Sequence, residues 1–335
     1  VNGIAIHLRR RLVAAMLLST LVLVVAGLAS GSEGWSLPSL WGPDAPLIVG
    51  QIRAPRTLGA WLVGALLGLA GAVAQGLFRN PLADPYLLGA ASGATLAVVL
   101  GLAAQALAGH YISLSAADLL SRAGLVLGAF LGALGGVLLT LLLSRGAQHT
   151  TRLLLAGVVV GVVLGAASDL VTTVAPDALR GKQWFMLGST SFLGWDSVLL
   201  LSAGALVCVP LAWRLARALD ALTLGTDSAL SLGLDLPRLR LVLVIVLALA
   251  TGLAVAQSGL IAFVGLVAPH LVRRFAPSAQ GYLLVVSALM GGTLLLAADV
   301  LARLLIAPQE LPVGVLTALL GGGYLLWLLH RRGIE

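Results

Sequence analysis

Apolar runs of about 20 residues recur along almost the whole chain, and that is the length a helix needs to cross a bilayer. Of the 335 residues 59% are hydrophobic and only 10% charged, against roughly a quarter charged in a soluble domain. The chain therefore reads as an all-α polytopic membrane protein, a single transmembrane domain over 1–335. Ten spans are expected, near 12–29, 57–77, 87–107, 124–143, 153–174, 197–213, 241–257, 261–272, 282–305 and 313–329. The eighth is short, and 184–195 is either a re-entrant helix or a loop.

The N-terminal HLRRRLVAAMLLSTLVLVVAGLAS imitates a secretory signal. Its apolar stretch, Leu12 to Ala29, is 18 residues long, beyond the roughly 7–15 of a signal core, so it is read as a retained first helix. With that end inside, 14 Arg and Lys residues fall on the cytoplasmic side and 6 outside. That is the bias the positive-inside rule requires, and it places both termini in the cytoplasm. The net charge of +7 thus marks membrane sidedness and gives no sign of nucleic-acid binding. The single cysteine, Cys208, rules out an intrachain disulfide or a cysteine cluster, and five scattered histidines lack metal-ligand spacing. There is no GxxxxGK[ST] phosphate loop, so nucleotide hydrolysis would have to come from a separate subunit. Glycines recur every fourth residue at Gly124, Gly128, Gly132 and Gly136, and again at Gly157, Gly161 and Gly165. Such faces let helix backbones approach closely, here expected within one subunit.

Three stretches invite a functional reading. QIRAPRTL, at 51–58, sets Arg53 and Arg56 three apart at the outer mouth of the second span. Cations are disfavoured at a helix N-terminus, so their presence there points to an external anionic partner; snorkelling to headgroups is the alternative. Arg303 reaches the same surface, with Asp299 one turn earlier as a possible ion-pair partner. On the inner face, LTLGTDSALSLGLDLPRLR, 222–240, reads as two helical turns split at Gly233 and stopped by Pro237. Its Leu222, Leu224, Leu230, Leu232 and Leu234 form an apolar patch with an arginine rim, the mark of a protein interface. Finally, Arg180 and Lys182 lie near the expected pathway mouth and would suit substrate carboxylates, with solvated loop charge as the alternative.

The string QGLFRNPLADPYLLG at 75–89, followed by Ser92, Gly93 and Ala94, resembles the permease subunits of ABC importers for iron–siderophores, haem and cobalamin. R-x-P-R-x-L at 53–58, FVGLVAPHLVR from Phe263 to Arg273 and ELPVG from Glu310 to Gly314 extend the resemblance to about 50–330. Gly323 departs from it, where the family usually has proline. The resemblance implies the type II importer permease fold, working as a homodimer in a bacterial inner membrane. Two ATP-binding cassette subunits, which use ATP and Mg, would sit below, and a periplasmic substrate-binding protein would dock above. It assigns docking to Arg53, Arg56 and Arg303, and ATPase coupling to a segment about 222–236 with Leu224, Gly225, Ser228, Leu232, Gly233 and Leu234. Arg180, Gln75 and Asn80 are candidates for the substrate pathway. The chain itself would bind no cofactor and no metal. The wording of FRNPLADP favours haem, with cobalamin and ferric siderophores as alternatives. An ion-coupled secondary transporter would be a different class; it would need intramembrane carboxylates, and Asp169 and Asp299 are the only candidates.

Overall fold

The computed structural model describes residues 2–31, 34–36, 41–108, 114–144 and 150–332. In chain order its helices are α1 (Asn2–Ala29), α2 (Ala54–Phe78), α3 (Ala90–Ala108), α4 (Leu114–Leu143), α5 (Thr150–Val174), α6 (Asp177–Leu187) and α7 (Trp195–Arg214). There follow α8 (Ala216–Thr223), α9 (Thr226–Ser231), α10 (Leu236–Ser258), α11 (Val264–Phe275), α12 (Gln280–Leu304) and α13 (Val313–Arg332). Among the described residues seven helices are long and apolar enough to cross a membrane, with Ala90–Ala106 and Val313–Leu328 as shorter apolar helices. The expected eighth span becomes α11, 12 residues long.

Helices α2, α10 and α12 are buried on most sides and form the centre; α1, α5 and α7 lie outside them. The centre combines a core of fully buried leucines, Leu66, Leu67, Leu243, Leu247 and Leu295 among them, with direct backbone contact at glycines where α2 meets α12 and α11. A Cβ placed on Gly64 would lie 2.3 Å from the Gly291 carbonyl oxygen of α12, and one on Gly71 only 1.7 Å from that of Gly265 in α11. The periodic glycines divide: Gly132 and Gly136 meet the backbone of Gly93 and Gly89, and Gly157 meets that of Leu87. Gly124, Gly128 and Gly165 have nothing within 4 Å, so the expectation of packing within the subunit holds for only part of each face. Gly71→Ala should therefore destabilise by about 1–3 kcal/mol through overpacking. Gly128→Ala should leave stability unchanged or raise it by up to about 1 kcal/mol through helix propensity. Thermal unfolding of the two variants in detergent checks the contrast.

Three boundaries differ from the sequence reading. Helix begins before Arg53: a turn at Ala45–Leu47 and a π-helical stretch at Ile48–Arg53 run straight into α2. Arg53 and Arg56 are thus inside a continuous helix of 34 residues, and the argument from an unfavourable N-terminal dipole falls. Helix also occupies 177–187 rather than 184–195, because Gly188, at φ +66, ends α6 against the Leu260 carbonyl. Pro237 starts α10 instead of stopping a helix. It sits in the first turn, where its missing N–H costs nothing, behind Asp235, whose carboxylate accepts from Arg238 N.

The string at 75–89 ends α2 and forms the turn between α2 and α3. Arg79 adopts the left-handed conformation that ends α2, and Asp84 caps the 3-10 turn Pro85–Leu88 by accepting from Tyr86 N at 2.8 Å. The Tyr86 hydroxyl donates to the Ile261 carbonyl at 3.1 Å, fixing the turn to the segment that leads into α11.

Candidate functional site

At the end of the bundle expected to face outward, called the outer end, α1 finishes with carbonyl groups that have no helical partner, and two arginines supply donors to them. Arg53 Nη1 donates to Leu28 O at 3.0 Å; Arg303 Nη1 donates to Gly27 O at 2.9 Å and to Ser30 O at 3.4 Å. A cation at a helix C-terminus is favoured by the dipole. The short hairpin Ser30–Gly31 with Gly34–Trp35 turns the chain over these two side chains.

Arg56 is the hub of an ion network. Its Nη1 donates to both Glu310 oxygens at 2.8 and 2.9 Å, and its Nη2 to Asp299 Oδ1 at 3.1 Å. The other Asp299 oxygen accepts from Arg303, one turn along α12. Thr190 donates to Asp299, and Ser191 donates to Glu310 at 3.0 Å. Arg53, Arg56, Arg303 and Glu310 together line a cavity of about 290 Å³ at the outer surface, with Ile48 and Ile52 among its walls.

The three predicted docking arginines thus share one place, but not as free surface cations. Arg303 is only 1% exposed. The expectation that it is presented to a partner is corrected, because Asp299 and the end of α1 take up its donors. The ion-pair alternative for Arg303 is the arrangement found. The turn residues Thr190 and Ser191, and Glu310 as a partner of Arg56, were not singled out in the sequence as members of this network.

Burial pushes the Glu310 carboxyl up, but its bonds to Arg56, the Arg56 charge, the Ser191 bond and Arg303 outweigh that and hold it below its ordinary 4.5. A lowered carboxylate contributes stability above its unfolded pKa and loses it as pH falls through the folded value. Wild type should therefore melt higher than Glu310→Gln by a constant margin well above the ordinary carboxylate value of 4.5, and the margin should shrink progressively as pH falls below that value and through the lowered folded one. Melting curves of both proteins across that range check it.

At the inner end, α8 and α9 are split at Gly225 (φ +115), and Gly233 (φ +75) closes the second turn. The sequence reading put the split at Gly233. Leu222 is buried and Leu234 half-buried, contrary to the expected water-exposed row. Leu224, Leu230 and Leu232 remain, at 73%, 55% and 66% exposure. The Ser228 side chain lies outside the described residues. Asp220 on α8 accepts from Gln280 N at 2.9 Å and so caps the start of α12. The leucine edge is thereby fixed to the helix that carries Asp299 and Arg303 at its far end.

The pathway candidates separate. Gln75 is buried and its amide donates to Leu266 O at 3.2 Å, so it ties α2 to α11 and lines no described channel. Asn80 is exposed and its side chain accepts from Leu82 N at 2.9 Å, a turn cap. Arg180 is exposed on α6. Lys182 is buried and ion-paired with Asp169 of α5, beside a cavity of about 390 Å³ that Ser92, Thr95 and Ser168 also line. The two carboxylates an ion-coupled relay would require are therefore both engaged by cations. Among the described residues no group of three or more His, Cys, Asp or Glu is placed to hold a metal ion.

Fold and site together define a polytopic helical membrane protein with a charged, cavity-bearing end and an exposed apolar segment at the opposite end. The chain belongs to the FecCD transport family, which it matches over residues 9–331. It is 41% identical over 329 residues to the hemin transport system permease protein HmuU of Yersinia pestis, with 96% of each chain covered. It is 40% identical over 323 residues to the vitamin B12 import system permease protein BtuC of Pectobacterium atrosepticum, covering 95% of this chain and 93% of the relative. Among solved structures it superposes, with a TM-score of 0.84 and 28% identity, on one described as an inward-facing metal-chelate type ABC transporter; 96% of this chain and 99% of that one are covered.

Proposed function

We propose that this chain is the translocation subunit of an ATP-driven importer, carrying a metal-chelate nutrient from an external binding protein to the cytoplasm by alternating access. The observation that carries the reading is the edge formed by Leu224, Leu230 and Leu232. It is an exposed apolar segment between two membrane helices, in a member of a transport family. A patch of this kind calls for a protein partner, and a nucleotide-hydrolysing subunit is the partner an importer needs there. The relatives named above are permease proteins, and in importers of that type ATP hydrolysis belongs to separate subunits.

The working assembly is proposed as two copies of this chain, two ATPase subunits and one binding protein, with both termini of this chain cytoplasmic. A pathway between two copies is supported by Asp169, whose side chain is 75% exposed on α5. A carboxylate at that depth faces water rather than lipid, so this face of α5 fits a water-lined route. At the outer end, the cavity around Arg53 and Arg56 fits acidic side chains of the binding protein; three guanidinium groups against two carboxylates leave it net positive.

Haem is the proposed substrate. Arg180, exposed on the helix beside that route, would suit its carboxylates, while Lys182 is held by Asp169. Uptake into vesicles carrying the assembled importer should be seen with haem and not with cobalamin or a ferric siderophore. Uptake of cobalamin alone would move the assignment to the second chelate without touching the importer reading.

A further inference from the structure

The outer ion network does more than neutralise its arginines. Each carboxylate on Arg56 also holds a hydroxyl of the turn between α6 and α7: Asp299 accepts from Thr190, and Glu310 from Ser191. That turn follows directly on α6, the helix carrying Arg180 and Lys182 beside the proposed route, and its Ser189 N is bonded to Ser258 O at the end of α10.

The two carboxylates are not held alike. Asp299 is fully buried and bound by Arg56, Arg303 and Thr190. Glu310 is partly exposed, lies in the link between α12 and α13, lines the cavity, and is held by Arg56 and Ser191. An acidic side chain entering the cavity meets the Glu310 edge of Arg56 first.

We propose that Glu310 is a stand-in for a carboxylate of the docked binding protein. On docking, the partner's carboxylate replaces Glu310 on Arg56 Nη1, Glu310 releases Ser191, and the turn leading back to α6 is freed. One two-oxygen ion pair is exchanged for another, so the exchange itself is close to balanced, and its consequence is the loosened turn. Glu310 and Ser191 are positioning residues: they set whether the turn is held, while Asp299 keeps Arg56 in place throughout. The proposal rests on the docking reading above.

The test uses the importer reconstituted with its ATPase and binding protein. Glu310→Gln keeps the size and removes the charge; Ser191→Ala keeps the ion pair and cuts its link to the turn. In both, ATP hydrolysis without binding protein should rise several-fold, and stimulation by loaded binding protein should fall towards none, at undiminished docking affinity. A cysteine placed at the exposed Phe192 of the turn gives a second readout, since Cys208 is buried. Its alkylation should quicken on docking in wild type and be fast from the outset in both variants, whereas Glu310→Asp should restore the wild-type pattern in part. Wild-type stimulation and wild-type alkylation in both variants would overturn the proposal; should Glu310→Gln fail to assemble, Ser191→Ala decides alone. Docking is judged separately: unchanged affinity in Arg56→Ala would refute that reading whatever Glu310 does.

Discussion

Asp299→Ala is expected to lower the stability of the detergent-solubilised chain by about 3–5 kcal/mol, the cost of removing one partner from a buried ion pair. Asp299 has no exposed surface, and three side chains converge on it: Arg303, Arg56 and Thr190. Without it, Arg303 stays buried with its bonds to the end of α1 but with no counter-charge, and Arg56 keeps only Glu310. The loss comes from stranded charge rather than from the missing contact, so the second-site change Arg303→Leu in the Asp299→Ala background should recover much of it. Thermal unfolding of the two single variants and the double variant measures this. A loss below about 1 kcal/mol in Asp299→Ala, the range of a surface pair, would show that the network is solvated and not structural.

The second large effect lies at the inner end. Leu224→Glu with Leu232→Glu should leave the fold intact, because both side chains are largely exposed in the isolated chain, and exposed substitutions usually stay within about 0.5 kcal/mol. The same change should abolish copurification with the ATPase subunit and abolish uptake. Truncation of an anchor at an interface centre costs about 2 kcal/mol or more, roughly a thirty-fold loss of affinity, and a charge there costs further. Gly233→Val should act through the backbone instead. At φ +75 a branched side chain is strained even though the space around that position is open, so the leucine edge would be displaced. Leu234→Ala, by contrast, belongs to the half-buried class and should show its main effect in melting temperature. If the double glutamate variant retains the ATPase subunit and full uptake, 222–236 is only a loop.

How far the sequence carries depends on the range of the interaction. The apolar runs mark helices because a lipid-exposed backbone must satisfy itself locally. The i, i+4 pairing of Asp299 with Arg303 is also legible, since both lie on one helix. Helix at Ala45–Arg53 is hidden: it includes a π-helical stretch, whose side-chain period differs from the one used to recognise helices. The bonds that Glu310 and Asp299 make to Arg56 span 254 and 243 residues. No local pattern announces contacts at that separation, so Arg56 looks unpartnered in sequence although it is bonded to two carboxylates. The coupling segment shows the same limit. Its composition predicts an exposed apolar row, but only the three-dimensional path shows that Leu222 turns inward while Leu224 and Leu232 stay outside.

The central claim is that an external binding protein and internal ATP together drive passage through this chain. The measurement that bears on it most directly is haem accumulation in sealed vesicles containing the assembled importer, with binding protein outside and nucleotide trapped inside. Accumulation is expected only when loaded binding protein and hydrolysable ATP are both present, and none from an imposed proton or sodium gradient. Accumulation driven by a gradient without ATP would contradict it and would return Asp169 and Asp299 to the role of ion-coupling carboxylates.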